Sequence, residues 1–423
     1  MSKARFILVA LICASPATLW DGPLVQGVVA GIVAVILAII ARSLHPGETE
    51  FLVSTVGPIA IVAAVPALWM VIQVLPLKGL AHPIWASVET GLGHPVVGTI
   101  SVDLGASVIA LGRYVCMAAV MLGSAAIAVD RKRAKWILFA LLGAAAASAL
   151  IFLVDELFYS GTGLTLFQKA QTLDCAALGV IFASAACIRT VERYEASRVR
   201  SMQSFMYTFL ASSAALASCA AALFFDRTRE VATATGYGFV AFACMLIMRR
   251  FRLGAWYASM IAATAICLGV VLLGMHQTER AKSPLLAFAT APTSISEHLL
   301  ENAPIVGTGA GTFASLLPIY RELDDAQNSP VASSAAAAVA IELGQPILWL
   351  IVAAIVTLAI ILLRASLRRG RDSFYSSMGG SCLIVLIFLA FINAGLVRAP
   401  TALVAAAALG LALAQSRSRT IKR

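Results

Sequence analysis

Residues 135–154 read KWILFALLGAAAASALIFLV, and directly ahead of them stand Arg131, Lys132 and Arg133. A helix through this run is about 30 Å long, which matches the hydrocarbon thickness of a bilayer. Lys and Arg in short linkers stay on the cytoplasmic side during insertion, so the cluster at the head of the run also sets its direction. Working outward, further apolar stretches run over 6–20, 23–43, 52–75, 107–129, 171–190, 203–225, 231–248, 255–275, 334–363, 378–397 and 400–416. Basic linkers recur after every second stretch: Arg189, Arg193, Arg198 and Arg200; Arg249, Arg250 and Arg252; Arg364, Arg368, Arg369 and Arg371. Lys3, Arg5, Arg42, Lys135 and the tail Arg417, Arg419, Lys422 and Arg423 complete a one-sided set of 22 among 31 basic residues. Charge parity is satisfied by twelve crossings. The pattern predicts an all-α integral membrane protein of about twelve transmembrane helices with both termini cytoplasmic.

Composition agrees. Hydrophobic residues make up 60% of the chain and charged ones 12%, with a mean hydropathy of +0.91. Soluble domains hold about 45–50% apolar and about 25% charged residues. The net charge of +10 sits in linkers beside apolar runs, where topology and anionic membrane lipids account for it, so no nucleic-acid partner is expected.

The eight cysteines lie in or at the edges of apolar segments, and the five histidines are scattered, so neither a disulfide framework nor a metal site is expected. No cofactor is expected either. Residues 6–20 are short for a span and follow Lys3 and Arg5 as in a signal sequence; a retained first helix is the expectation.

The whole of 1–423 reads as one polytopic membrane domain, with two long segments on the outer face, about 76–106 and 276–333. The second holds the turn Gly307-Thr308-Gly309-Ala310-Gly311-Thr312-Phe313, the apolar stretch Leu316, Leu317, Ile319 and Tyr320, and a short helix expected around 294–302. A loop of this length in a compact protein is usually functional or disordered, and its apolar content favours function. No internal repeat is visible, which sets the chain apart from two-halved carriers.

Ionisable groups within apolar spans are costly and draw attention. Arg113, near the outer end of its span, either binds a phosphate or snorkels to headgroups. Asp174 either packs helices through a hydrogen bond or pairs with Lys169. At the outer end of span seven, Asp226-Arg227-Thr228-Arg229-Glu230 offers two guanidiniums suited to a diphosphate clamp, or a self-neutralised turn of Asp226 with Arg229 and Arg227 with Glu230. The Gly-rich turn lacks the Lys-Ser/Thr of a nucleotide loop and reads as a tight turn that lets backbone approach substrate or a neighbouring helix. Glu342 orients a substrate or caps a helix end.

These motifs resemble those of the O-antigen ligase and polysaccharide polymerase superfamily. Pro304 to Tyr320, with Arg321 following, resembles its loop signature, and Ile341-Glu342-Leu343-Gly344 the opening of its next helix. WMVIQVLPLKGLAHPIW at 69–85, continued by Ile100-Ser101-Val102-Asp103, resembles the first outer segment of exopolysaccharide-type members, and Ser160-Gly161-Thr162 through Asp174 takes the place of a further family turn. The resemblance extends over nearly the whole chain. It departs where the ligases carry His-Asn, since Ser333-Ser334 stands there, and where an arginine is usual, near Ser294. Arg280 or Arg321 substitutes for that arginine, and His298 or Asp324 and Asp325 for the base.

The resemblance implies an inverting, metal-independent glycosyl transfer on the outer face of a bacterial inner membrane. The donor is a glycan on a polyprenyl diphosphate, the acceptor a sugar or lipid A-core. Arg227, Arg229, Arg321 and Asp324 are then the catalytic candidates, and Arg113, Arg280, Gly307, Gly309, Gly311, Tyr320 and Glu342 bind substrate. Two alternatives follow from the same residues: a non-catalytic accessory working beside other polysaccharide-assembly proteins, and a transporter or flippase.

Overall fold

The computed structural model describes residues 2–20, 22–43, 46–77, 79–196, 202–226, 228–250, 260, 264, 285–289, 294–320, 332–368 and 373–417. The regular structure among these residues is all helical, with no strand. Among them, nine helices are long and apolar enough to cross a membrane. They are α2 (Pro23–Ser43), α3 (Pro46–Val74), α5 (Leu104–Ala128), α6 (Arg131–Phe158), α7 (Leu166–Ala196), α8 (Met202–Phe225), α9 (Glu230–Arg250), α13 (Gln345–Arg368) and α14 (Phe374–Ile392). The shorter elements are α1 (Ser2–Cys13), α4 (Ile84–Leu92), α10 (Ser294–Asn302), α11 (Phe313–Tyr320), α12 (Ala335–Glu342) and α15 (Ala399–Ala414). The stretch 255–275 falls outside the described residues, apart from Met260 and Thr264.

Two expected spans differ from their sequence bounds. Within 6–20 the α-helix stops at Cys13, and a 3₁₀ turn over Ser15–Leu19 follows. Pro16 causes the change, because it has no N–H for residue 12 and its ring crowds that carbonyl. Within 334–363 the helix breaks at Leu343–Gly344, giving α12 and α13. Here Pro346, at the second position of α13, denies Glu342 its i+4 donor and so favours a new start.

Helix starts follow local chemistry. Asp103 caps α5 by accepting from Ala106 N at 3.0 Å, and Asp130 caps α6 by accepting from Lys132 N at 2.9 Å. Each cap satisfies a donor that the helix leaves unpaired. The bundle is centred on α7, whose apolar window is 89% buried; it packs on α6, α8, α9, α14 and α15. Small residues allow the close approach: a Cβ on Gly410 of α15 would collide with the Met121 carbonyl of α5. In lipid, such packing replaces the hydrophobic drive between helices.

The two ends of the bundle are tied by different contacts. At one end Arg5 lies over Trp136, Arg189 over Phe139, Arg249 pairs with Glu192 at 2.8 Å and Arg417 donates to Ser54 O at 2.7 Å. All four basic residues belong to the set expected on one side from the sequence. At the other end Gln168 donates to Leu19 O, Trp69 to Leu343 O and Asn393 to Asp174. Exposed Trp136 and Phe158 mark the two ends of α6, separated by 158 − 136 = 22 residues. That is about 33 Å along the helix, close to the spacing of the aromatic belts of a membrane protein.

Candidate functional site

The end remote from the basic linkers is built around the break between α12 and α13. A helix end leaves its last carbonyls without intrahelical donors, and here those of Ile341, Glu342 and Leu343 find donors from elsewhere in the chain. Ile341 O accepts from Thr308 N at 3.0 Å and Thr308 Oγ1 at 3.1 Å. Glu342 O, freed by Pro346, accepts from Gly309 N at 3.0 Å and Gln73 Nε2 at 2.9 Å. Leu343 O accepts from Trp69 Nε1 at 2.9 Å. Trp69 and Gln73 stand one turn apart on the last stretch of α3, so both face the break.

The Gly-rich turn is the other half of this joint. Gly307, Gly309, Gly311 and Gly344 all have positive φ, between 75° and 109°, where a side chain is strained. A Cβ on Gly309 would also meet Ser101 Oγ at 2.5 Å, and one on Gly307 would strike the Glu342 carbonyl. Gln73 closes the circle: its Nε2 donates to Val306 O at 3.1 Å, and its Oε1 accepts from Ala310 N at 3.2 Å. From the α3–α5 segment, Val102 N donates to Thr308 O and Ser107 Oγ to Ala310 O, both at 2.9 Å.

The Glu342 carboxylate points into the same joint. Its two oxygens accept from Gly311 N at 2.7 Å and Phe313 N at 3.2 Å. It therefore supplies the anion at the start of α11. Burial pushes this carboxyl up to about 7, against the opposing pull of the two N–H groups and of the Arg113 guanidinium. Asp103, at the edge of the joint, is held below the usual carboxylate range by its bonds from Ala106 N and the Ser315 hydroxyl, the latter at 2.8 Å.

Residues on both sides of the turn share a small core of their own, with Leu286, Leu299, Phe313, Leu316 and Ile341 in it. The helix expected around 294–302 is α10. At the position where the resemblance places a His-Asn pair, Ser333 donates to Ser296 Oγ at 2.9 Å and Ser334 caps α12 by accepting from Ala337 N at 3.1 Å.

Of the site residues expected from sequence, the structure brings together Gly307, Gly309, Gly311, Glu342 and, through its charge, Arg113. The turn approaches neighbouring helices. Arg113 Nε donates to Gln26 Oε1 at 2.9 Å, tying α5 to α2. Arg229 is exposed and has φ of 55°, an uncommon backbone for a non-glycine residue. Asp226 accepts from the N–H and hydroxyl of Thr228 at 3.2 and 2.8 Å, closing a local turn in place of the Asp226–Arg229 pairing that was one of the two alternatives. Lys169 turns away from Asp174 to lie 3.4 Å from Asp155 and 3.8 Å from Glu156. Arg227, Arg280, Arg321 and Asp324 lie outside the described residues, as does the side chain of Tyr320.

Sequence reasoning did not single out Trp69, Gln73, Ser107, Asp155 or Asn393 for these roles. A glutamine and an asparagine inside apolar runs were the available signal, since each must find a partner in the bundle. The chain matches no known protein-family model and no curated protein.

Proposed function

We propose that this protein is an outer-face glycan polymerase or ligase of the O-antigen ligase-like kind. It transfers a glycan from a polyprenyl diphosphate to a sugar or lipid A-core acceptor, in a bacterial inner membrane crossed twelve times with both termini cytoplasmic. The observation that carries the reading is the jointed outer layer. A glycine-rich turn and a buried glutamate lock a small helical layer onto the bundle end opposite the basic linkers. Such a layer is a rigid platform beside the membrane for a lipid-borne substrate. A diphosphate leaving group needs fixed cations there, and exposed Arg229, with Arg227 beside it in sequence, supplies that charge. The route to twelve spans adds α1 with its 3₁₀ extension, 255–275 and α15 to the nine long helices.

The accessory reading has one observation in its favour. Glu342 and the glycines are spent on each other, and Ser333 and Ser334 are spent on local bonds. A strain deleted for the gene separates the readings through mass spectrometry of its lipid-linked glycans and surface polysaccharide. Accumulated single repeats identify a polymerase. Full-length lipid-linked polymer without transfer identifies a ligase. An unchanged profile overturns the transferase reading.

A further inference from the structure

We infer that the outer third of α7 holds one monovalent cation, a proton or Na⁺, between the Asp174 carboxylate and the side-chain carbonyl of Gln171. Asp174 lies 174 − 166 = 8 residues into α7, about 12 Å from its outer end. It is completely buried, and Gln171 is 1% exposed. The two are three residues apart and so share a helix face. Asp174 Oδ1 accepts from Asn393 Nδ2 at 2.8 Å, and Asn393 is held in that orientation because its Oδ1 accepts from Gly395 N at 2.8 Å. Asp174 Oδ2 and Gln171 Oε1 are both buried and have no donor among the described residues. A Cβ on Gly395 would collide with Oδ2, so the carboxylate is boxed in by backbone as well.

A carboxylate oxygen and an amide oxygen on one buried face call for something positive. Of the described cations at this end, Arg229 is exposed to solvent, and the others are engaged elsewhere. Lys169 is shared by Asp155, Glu156 and the Gly161 carbonyl, and the Arg398 guanidinium lies over the Phe167 ring, 5.2 Å from its centre. Asp226, in the turn after α8, adds a second negative charge near enough to act on Asp174. From α14 and α15 the face receives Asn393 and Thr401, which carry no charge. A small cation fits this set of neighbours.

The test is the thermal midpoint of the purified full-length protein in detergent, with Na⁺ exchanged for choline at constant ionic strength and over a series of pH values. A Glu342→Gln background keeps that carboxyl from titrating. If Na⁺ is the occupant, the midpoint climbs saturably by about 2–5 °C, Asp174→Asn abolishes the climb and Gln171→Leu weakens it. If a proton is the occupant, the midpoint depends on pH and ignores Na⁺, and Asp174→Asn removes that dependence. A midpoint indifferent to both, or one whose response survives in Asp174→Asn, overturns the proposal and leaves the two oxygens to a buried water or a turned amide.

Discussion

Gln73 Nε2 and the Glu342 carbonyl are joined by a 2.9 Å hydrogen bond across 269 residues of sequence. The same amide holds Val306 O and Ala310 N, so one side chain on α3 ties together both sides of the joint. Replacing it with leucine keeps the size and removes all three bonds, leaving Val306 O and Ala310 N to find other partners while Glu342 O keeps its bond from Gly309 N. The expected loss is about 2–4 kcal/mol. It should appear as a lower thermal midpoint and as faster proteolysis within 304–320, while cleavage at the basic linkers stays unchanged.

The Glu342 carboxyl gives the joint a pH dependence whose sign is fixed. Its value is raised by burial, from 4.5 to about 7. The folded protein therefore binds this proton more tightly than the unfolded chain does. The associated stability is fully present below about 4.5 and is lost as pH rises through about 7. Unfolding midpoints measured from pH 5 to 8 should fall by an amount worth on the order of 2–3 kcal/mol. In Glu342→Gln that part of the slope should vanish; an unaltered slope assigns the titration to another group.

Gly309 combines a φ of 109° with the Ser101 side chain and backbone at the place of a Cβ. Gly309→Ala is predicted to cost about 2–4 kcal/mol through strain and displacement of Ser101. A methyl group added at Gly236 would meet nothing within 4 Å, and Gly236→Ala in α9 should be neutral or stabilising by up to about 1 kcal/mol. Hydrogen exchange of the 306–313 amides distinguishes a loosened joint from a global change.

Arg229 allows structure and activity to be separated. Its positive φ suits glycine, so Arg229→Gly should leave the protein as stable or raise stability by up to about 1 kcal/mol. On the proposed function the same variant, and more strongly the double Arg227→Glu, Arg229→Glu, should cut polymer output at least about tenfold through loss of the diphosphate contacts. Normal polymer with normal membrane levels removes these arginines from the mechanism.

Much of the fold was legible because the signals are local. Apolar runs give the long helices, nine of them among the described residues, and the charged linkers set the alternation the sequence leads one to expect. The break before α13 was equally local, in Gly344-Gln345-Pro346, but an apolar window running from 334 to 363 reads straight across it. The candidate site was legible only as ingredients. The Gly-rich turn and Glu342 stand out as polar punctuation, yet their partners lie 29 or more residues away and in part are each other, a relation that spacing does not express. Lys169 and Asp174 look like a pair by proximity in sequence. Five residues turn an α-helix through about 140°, so the lysine faces the end of α6.

The joint also sets an order of assembly. Gln73 leaves the ribosome 233 residues ahead of Val306, an interval of roughly 10–50 s at ordinary rates of synthesis. Through that interval α3 and α5 are made while the turn that will seat against them does not yet exist, so a glutamine, a tryptophan and a serine wait at the membrane's edge with their permanent partners unborn. The last third of the chain thus acts as a keystone: a truncated or stalled product carries an open seam at this end of the bundle, where quality-control proteases can recognise it.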